Sequence, residues 1–443
     1  MKPFSTRFPI LFLLLSLLLP VANRADDTPS AALRTLARPL EEALPDTLPK
    51  LAEAQMVLLG EASHGTSEYY RTRAHISRSL IEIHGFRFVA FEGDWNAIHQ
   101  LHRYATWVDH PEGGAREIMR GFDRWPQWMW ANEETAAFIE WLRTYNEDLD
   151  PEARAGVHGI DVYGMEAAIR ALPDAVTAID PELGDWVREQ YACFQPYLAD
   201  MGTYVRAAHR NPLAACSAAA RNVRQKLEET ETLPEGMPGF HLRQMSRVVE
   251  SAEKHYRSMA QGGAASWNHR ARHFFDTVRH LQAFYGEESR GIVWAHNTHI
   301  GDARATDMAR GGQLNIGQLA RDHWGREHVA AVGFGTHRGT LLAGRSWGGP
   351  RQTMTKPPAG PNTLEHAMHQ VGPGNWLFTL EGAPDILQRR IGHRAAGVIY
   401  HPEREFPGNY VPTILPERYD FFLFWEETEA LTPVAATPEA PVE

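Results

Sequence analysis

The feature that most constrains this chain is a series of short, unbroken apolar runs: MVLLG (56–60), RFVAF (87–91), AGVHGI (155–160), GIVWA (291–295), VAAVGF (329–334), NWLFTL (375–380), AGVIY (396–400) and DFFLFW (420–425). Runs of this length are too short for core helices, and without polar alternation they read as strands buried on both faces. Helically spaced stretches such as 68–84 and 132–146 separate several of them. The expected fold class is therefore α/β, a mostly parallel sheet covered by helices. The stretch 165–288 has few strand-like runs and is rich in Ala, Glu, Arg and Leu, so it is expected to be a helical insertion subdomain. This divides the chain into a signal peptide (1–25), a first part of the core (26–164), the insertion (165–288), a second part of the core (289–428) and a disordered tail (429–443).

In open α/β sheets the ligand crevice lies beyond the carboxyl ends of the strands. Four of these runs end there in ionisable residues: MVLLG is followed by Glu61 and His64, RFVAF by Glu92 and Asp94, AGVHGI by Asp161, and GIVWA by His296, Asn297 and His299. One such residue alone would be a helix cap or a solvated loop. Four together point to an active site, with His64 as a general base and a neighbouring carboxylate to orient it. Behind His64, Tyr69, Arg73, Ile76, Leu80 and Ile83 recur at the 4-3-4-3 spacing of a core-facing helical stripe. Arg73 interrupts that apolar face, and a buried guanidinium needs a carboxylate, for which Glu61 and Glu92 are the candidates.

Several classes are disfavoured. A net charge of −11 argues against a nucleic-acid surface. Two cysteines, Cys193 and Cys216, permit one bridge at most and no disulfide framework. The literal G-x-S-x-G at Gly344–Gly348 runs into Gly349 and Pro350, where a nucleophile elbow would need a helix, so Ser346 is set aside. Lys2 and Arg7 followed by an apolar stretch to about Ala22 read as a secretory signal, giving a periplasmic or secreted protein with no stable membrane association once it is cleaved. A His/Glu metal site built from Glu61, His64, His296 and His299 stays open as a rival to histidine-activated water.

The motifs GEASHG, WAHNTH, NIGQLARDHWG and YVPTILPERYDFFLFWEET resemble the erythromycin esterase family from about residue 40 to 428. That resemblance implies an α/β core with a helical subdomain, and hydrolysis of a macrolide lactone by water without a covalent serine intermediate. It also implies an antibiotic-resistance enzyme. Carried over by motif, His64 is the general base, Glu61 its carboxylate, and Arg73, Glu92 and His296 the other cleft residues. One departure is Ala271, where family members often carry an aspartate after the arginine.

The expectation is thus an ester or lactone hydrolase with catalytic His64, Glu61, Arg73, Glu92 and His296, and with His299, Asn297 and Asp94 binding a small-molecule substrate. No cofactor and no metal are expected. The alternatives are a metal-dependent hydrolase on the same Glu/His cluster and a non-catalytic periplasmic binding protein.

Overall fold

The computed structural model describes residues 28–211 and 215–435. Eleven strands occur among them: β1 (Ala37–Pro39), β2 (Met56–Leu59), β3 (Phe88–Asp94), β4 (Gly156–Asp161), β5 (Gly291–Trp294), β6 (Val329–Gly344), β7 (Arg351–Lys356), β8 (Trp376–Thr379), β9 (Ile391–Arg394), β10 (Tyr410–Thr413) and β11 (Phe421–Thr428). Nine form one sheet in the order β1-β8-β11-β6-β2-β5-β3-β4, with β7 added to the far half of β6. From β11 through β4 every pairing is parallel, while β8 is antiparallel to both β11 and β1. β2, β4 and β5 are buried at every position because helices cover both faces, which is why those runs lack alternation.

The helix Ser67–Glu82 carries Tyr69, Arg73, Ile76 and Leu80 on its buried face, as the spacing indicates, but Ile83, expected to close that stripe, caps the helix and is 70% exposed. Between β4 and β5, the described residues from Met165 to Tyr285 form helices only, ending in the long pair Gly236–Met259 and Ala265–Tyr285. Cys193 and Cys216, 6.0 Å apart at Cα, are joined as a disulfide within this region. Among the described residues no helix is long and apolar enough to cross a membrane. The expected signal peptide lies outside the described residues.

Two expectations are corrected. AGVIY (396–400) is not a strand: it makes only isolated bridges, and Ala396 instead clasps the turn after β2, receiving the His64 N–H and donating to the Ala62 carbonyl. Of the stretch 429–443 expected to be a disordered tail, residues 429–435 are ordered, and the rest lies outside the described residues. Leu431 and Val434 are buried, and the backbone N–H groups of Leu431 and Val434 donate to Gly65 and Ala131. The segment runs against the starts of the helices Ser67–Glu82 and Glu133–Asn146, where the Ser67 N–H donates to the Glu429 carbonyl and the Glu133 N–H to the Thr432 carbonyl, which a composition rich in Pro, Ala and Glu does not reveal.

Candidate active site

At the carboxyl end of β2 the chain must turn sharply beneath β5. A Cβ on Gly60 would lie 2.0 Å from Asn297 Oδ1, and one on Gly65, at φ +73°, would lie 2.0 Å from the Leu342 carbonyl oxygen. Both positions therefore require glycine. The turn between them presents Glu61 and His64. Buried Glu61 accepts a hydrogen bond from His64 Nδ1 at 2.9 Å, so the other ring nitrogen, Nε2, is the one left for chemistry. Burial alone lowers the His64 pKa, but the Glu61 carboxylate and the more distant Glu92 outweigh it and hold the ring above its ordinary value.

His296, after β5, is a different kind of histidine. The Thr298 backbone N–H donates to its Nδ1 at 3.2 Å, which makes Nδ1 an acceptor and puts the proton of the neutral ring on Nε2. Burial, and then the neighbouring His64, keep its pKa well below the ordinary value, so the ring stays neutral. Its buried Nε2 has no hydrogen-bond partner among the described residues, and its ring centroid lies 4.9 Å from that of His64. A base and a donor thus stand side by side.

Glu92, at the end of β3, ties the site together. One oxygen accepts the His296 N–H at 2.8 Å; the other accepts Arg270 Nη2 at 2.8 Å and lies 3.3 Å from His299 Nε2. Burial opposes its ionisation, yet His299, Arg270 and His64 hold the carboxyl well below the usual range. Asp161, at the end of β4, takes Arg270 Nε at 2.9 Å and Nη2 at 2.6 Å in a two-point clasp. Burial lowers the His299 pKa as well.

These groups floor a cavity of about 880 Å³ between the sheet edge and the helical segments. His64, Glu92, Asp94, Asp161, Arg270, His296 and His299 line it, under walls that include Trp130, Tyr163, Tyr256, Trp267 and Trp347. The tryptophan-rich stretch 122–130 contributes to a wall, as does the hairpin after β6. That hairpin holds Ser346, exposed in the turn between β6 and β7.

Two sequence assignments change. Arg73 is fully buried and does not reach the cavity: it lies beneath Glu61, with Nη2 3.4 Å from Oε2 and its guanidinium carbon 4.2 Å from the Tyr70 ring centroid. It steadies Glu61 and cannot touch substrate. Asn297 also faces inward, donating to the Phe334 carbonyl at 2.7 Å and contacting His393 Nε2 at 3.0 Å, so it is not a substrate-binding residue. Asp94 does line the cavity, while its Oδ1 caps the helix Trp95–Ala105 by accepting the Ala97 N–H.

A cation that does reach the cavity floor, Arg270, was missed. Its signal was the one that singled out Arg73: the helix Ala265–Tyr285 buries Phe274, Thr277 and Leu281, and Arg270 falls on that same 4-3-4 face. Ala271 beside it is fully buried and does not line the cavity.

Residues 81–428 match the model of the erythromycin esterase family. Three solved structures share the fold. A protein described as a succinoglycan biosynthesis protein is 19% identical, covers 93% of this chain and 99% of its own, and superposes with a TM-score of 0.74. A protein from Bacillus cereus is 18% identical over 92% of this chain and 98% of its own, at a TM-score of 0.75. A mutant of the erythromycin esterase EreC in its open conformation is 16% identical over 89% of this chain and 96% of its own, at a TM-score of 0.66.

Proposed function

The chain belongs to the erythromycin esterase family and is an esterase-type hydrolase, and we propose that it cleaves a lactone or ester by direct attack of a water that His64 activates. The observation that carries this reading is the pairing of two unlike histidines. His64 is oriented by Glu61 so that Nε2 can take a proton, and His296 is held neutral with an Nε2–H to give. In the first step His64 Nε2 removes a proton from water while the oxygen bonds to the acyl carbon. The carbonyl π electrons move onto oxygen, where the His296 Nε2–H donates to the new oxyanion; such a donor contributes on the order of 3–4 kcal/mol. On collapse the acyl–oxygen bond breaks and the His64 proton passes to the departing alkoxide. Arg270, neutralised by Asp161 and Glu92, fixes the cavity floor by holding the ends of β3 and β4 together.

A macrolide-type lactone fits the reading, since ligand cavities of about 300–1,000 Å³ enclose molecules of drug size and this one has apolar aromatic walls. The rival is a metal-activated water. Donor atoms of Glu61, His64 and Glu92 lie near enough to one another for a cation. Their carboxylate oxygens, however, already face Arg73, Arg270 and the His296 N–H. The test is hydrolysis of a lactone and ester panel, including a macrolide, before and after chelator treatment. The expected result is turnover that survives chelation and is lost in a folded His64→Ala variant. Turnover abolished by the chelator and restored by added metal would support the rival, and binding without turnover would leave a binding protein. The mature chain is further proposed to act in the periplasm or outside the cell, on the strength of the signal-like residues 1–25; cell fractionation tests that placement.

A further inference from the structure

A second group of ligating side chains lies outside the cavity. In the parallel pairing of β6 with β11, Thr336 lies opposite Trp425 and Arg338 opposite Glu427. His337 and Glu426 fall between these pairs, so both project from one face of the sheet while the Arg338–Glu427 ion pair occupies the other. The helix Leu364–His369 brings its last residue over the first face. The His369 ring stacks on His337 with centroids 3.9 Å apart and planes within 6°, and its Nδ1 is 2.8 Å from Glu426 Oε2. One donor atom from each of the three residues lies within 4.8 Å of the other two.

His337 is buried, and its Nδ1 has no hydrogen-bond partner among the described residues. A buried polar atom left unpaired costs free energy and calls for a partner. The His369 and Glu426 side chains remain 39% and 20% exposed, which leaves a route in from solvent. Nothing in the hydrolytic site depends on these residues, and none of the three lines the cavity.

We propose that His337, His369 and Glu426 form a binding site for one divalent transition-metal ion of the zinc type. Two imidazoles and a carboxylate are a donor set that such an ion takes, with water completing a tetrahedron. A metal sits in the plane of each imidazole it binds, so the parallel stack has to open. The ring that turns is His369, half exposed at a helix end, which exchanges its contact with Glu426 for the ion. Bound metal then pins the end of the helix to β6 and β11, and an ion that binds only the folded chain raises its stability by mass action.

The test uses the full chain, stripped with a chelator and titrated with Zn2+ or Co2+. The expected result is one tight Zn2+ equivalent, a Tm that climbs with free Zn2+, and for Co2+ the intense visible absorption of a four-coordinate site. His369→Gln and Glu426→Gln sit at partly exposed positions that tolerate substitution. Each should weaken Zn2+ binding at least about tenfold and remove the Tm response, while His64→Ala retains both. Unchanged affinity in the His369→Gln and Glu426→Gln variants overturns the proposal. So does loss of the Zn2+ equivalent in His64→Ala, which would move the ion to the catalytic cluster.

Discussion

At the scale of single residues, the proposed mechanism assigns opposite jobs to identical side chains. Glu61 raises the His64 pKa above its ordinary 6.5, and a general base must be neutral to act, so kcat/KM should rise with pH through a limb above pH 6.5. Glu61→Gln removes the largest raising influence and leaves burial in control. Its limb should move to lower pH, with kcat down on the order of 10²–10⁴-fold from the mis-set base. A pH–rate profile in which the limb stays put would take Glu61 out of that role. Lys356 is the less obvious member. It is fully buried, and burial, reinforced by Arg394, pushes its amine well below the usual lysine value. Among the described residues its Nζ donates to three hydroxyls, Thr428 at 2.7 Å, Thr66 at 3.1 Å and Ser63 at 3.4 Å, and lies 5.6 Å from the Tyr69 ring centroid; Ser63 and Thr66 bracket His64. Lys356→Met should therefore loosen the turn and lower kcat about tenfold, since small displacements of a catalytic group are costly. The acid limb should stay where it is. A lower Tm with kcat unchanged would confine Lys356 to a structural role.

At the scale of elements, the mouth of the cavity is made by two loops. The Arg124 guanidinium carbon lies 4.2 Å from the Tyr163 ring centroid and 5.7 Å from that of Trp347, while Trp125 Nε1 donates to the Gly349 carbonyl at 2.9 Å. Trp347, 55% exposed yet lining the cavity, is the wall that a bulky substrate would cover. Trp347→Ala should raise KM for a large apolar ester on the order of 5–10-fold with kcat nearly unchanged, the signature of lost uniform binding. An equal KM effect on a small acetate ester would count against that wall. The same loops mark where the sequence stops being readable. Strands buried on both faces announce themselves as apolar runs, so β2 through β5 and their terminal acids were legible. β7 was not, because most of its residues are exposed on an edge, and AGVIY misled because a buried segment can be apolar without pairing. Asn297 shows the same limit from the polar side. A polar residue after a strand faces either the crevice or an unpaired backbone, and only the tertiary fold, here the Phe334 carbonyl, decides between them. Arg270 was hidden by distance: its carboxylate partners lie 109 and 178 residues away.

At the scale of the whole molecule, the helical segments and the sheet meet at a second histidine cluster whose charge state matters. His99 and His102 on the helix Trp95–Ala105, His158 on β4 and His241 on the helix Gly236–Met259 stack in sequence, with His99 and His241 ring centroids 3.7 Å apart and His102 and His158 4.6 Å apart. Burial is the first cause of lowered pKa in all four, reinforced in most by the neighbouring imidazoles and Arg103; His102 falls to about 3 and His241 to about 4. Among the described residues their rings meet neutral groups, Trp95 Nε1 donating to His241 Nδ1 and the Tyr285 hydroxyl beside His158 Nε2. Each of these folded-state values lies below the unfolded value near 6.5. The stability they contribute is therefore complete above about pH 6.5 and is lost progressively as pH falls toward 3–4. His64 has the opposite sign: raised in the folded state, its contribution to stability is fully present below pH 6.5 and is lost as pH rises through its folded value, so it leaves the slope below pH 6.5 to the lowered histidines. Carboxylates such as Glu92, lowered from 4.5, act only in more acid solution, which leaves the range from pH 6.5 to 5 to the histidines. Urea unfolding should thus show stability declining as pH falls from 6.5 to 5, by about 1.4 kcal/mol per pH unit for each net proton taken up. His99→Phe keeps an aromatic ring against Trp95 and His241 but cannot titrate, so its slope should be shallower by roughly one proton. Equal slopes in the two proteins, or a flat wild-type profile over that range, would show that the cluster does not couple the two parts of the fold to pH.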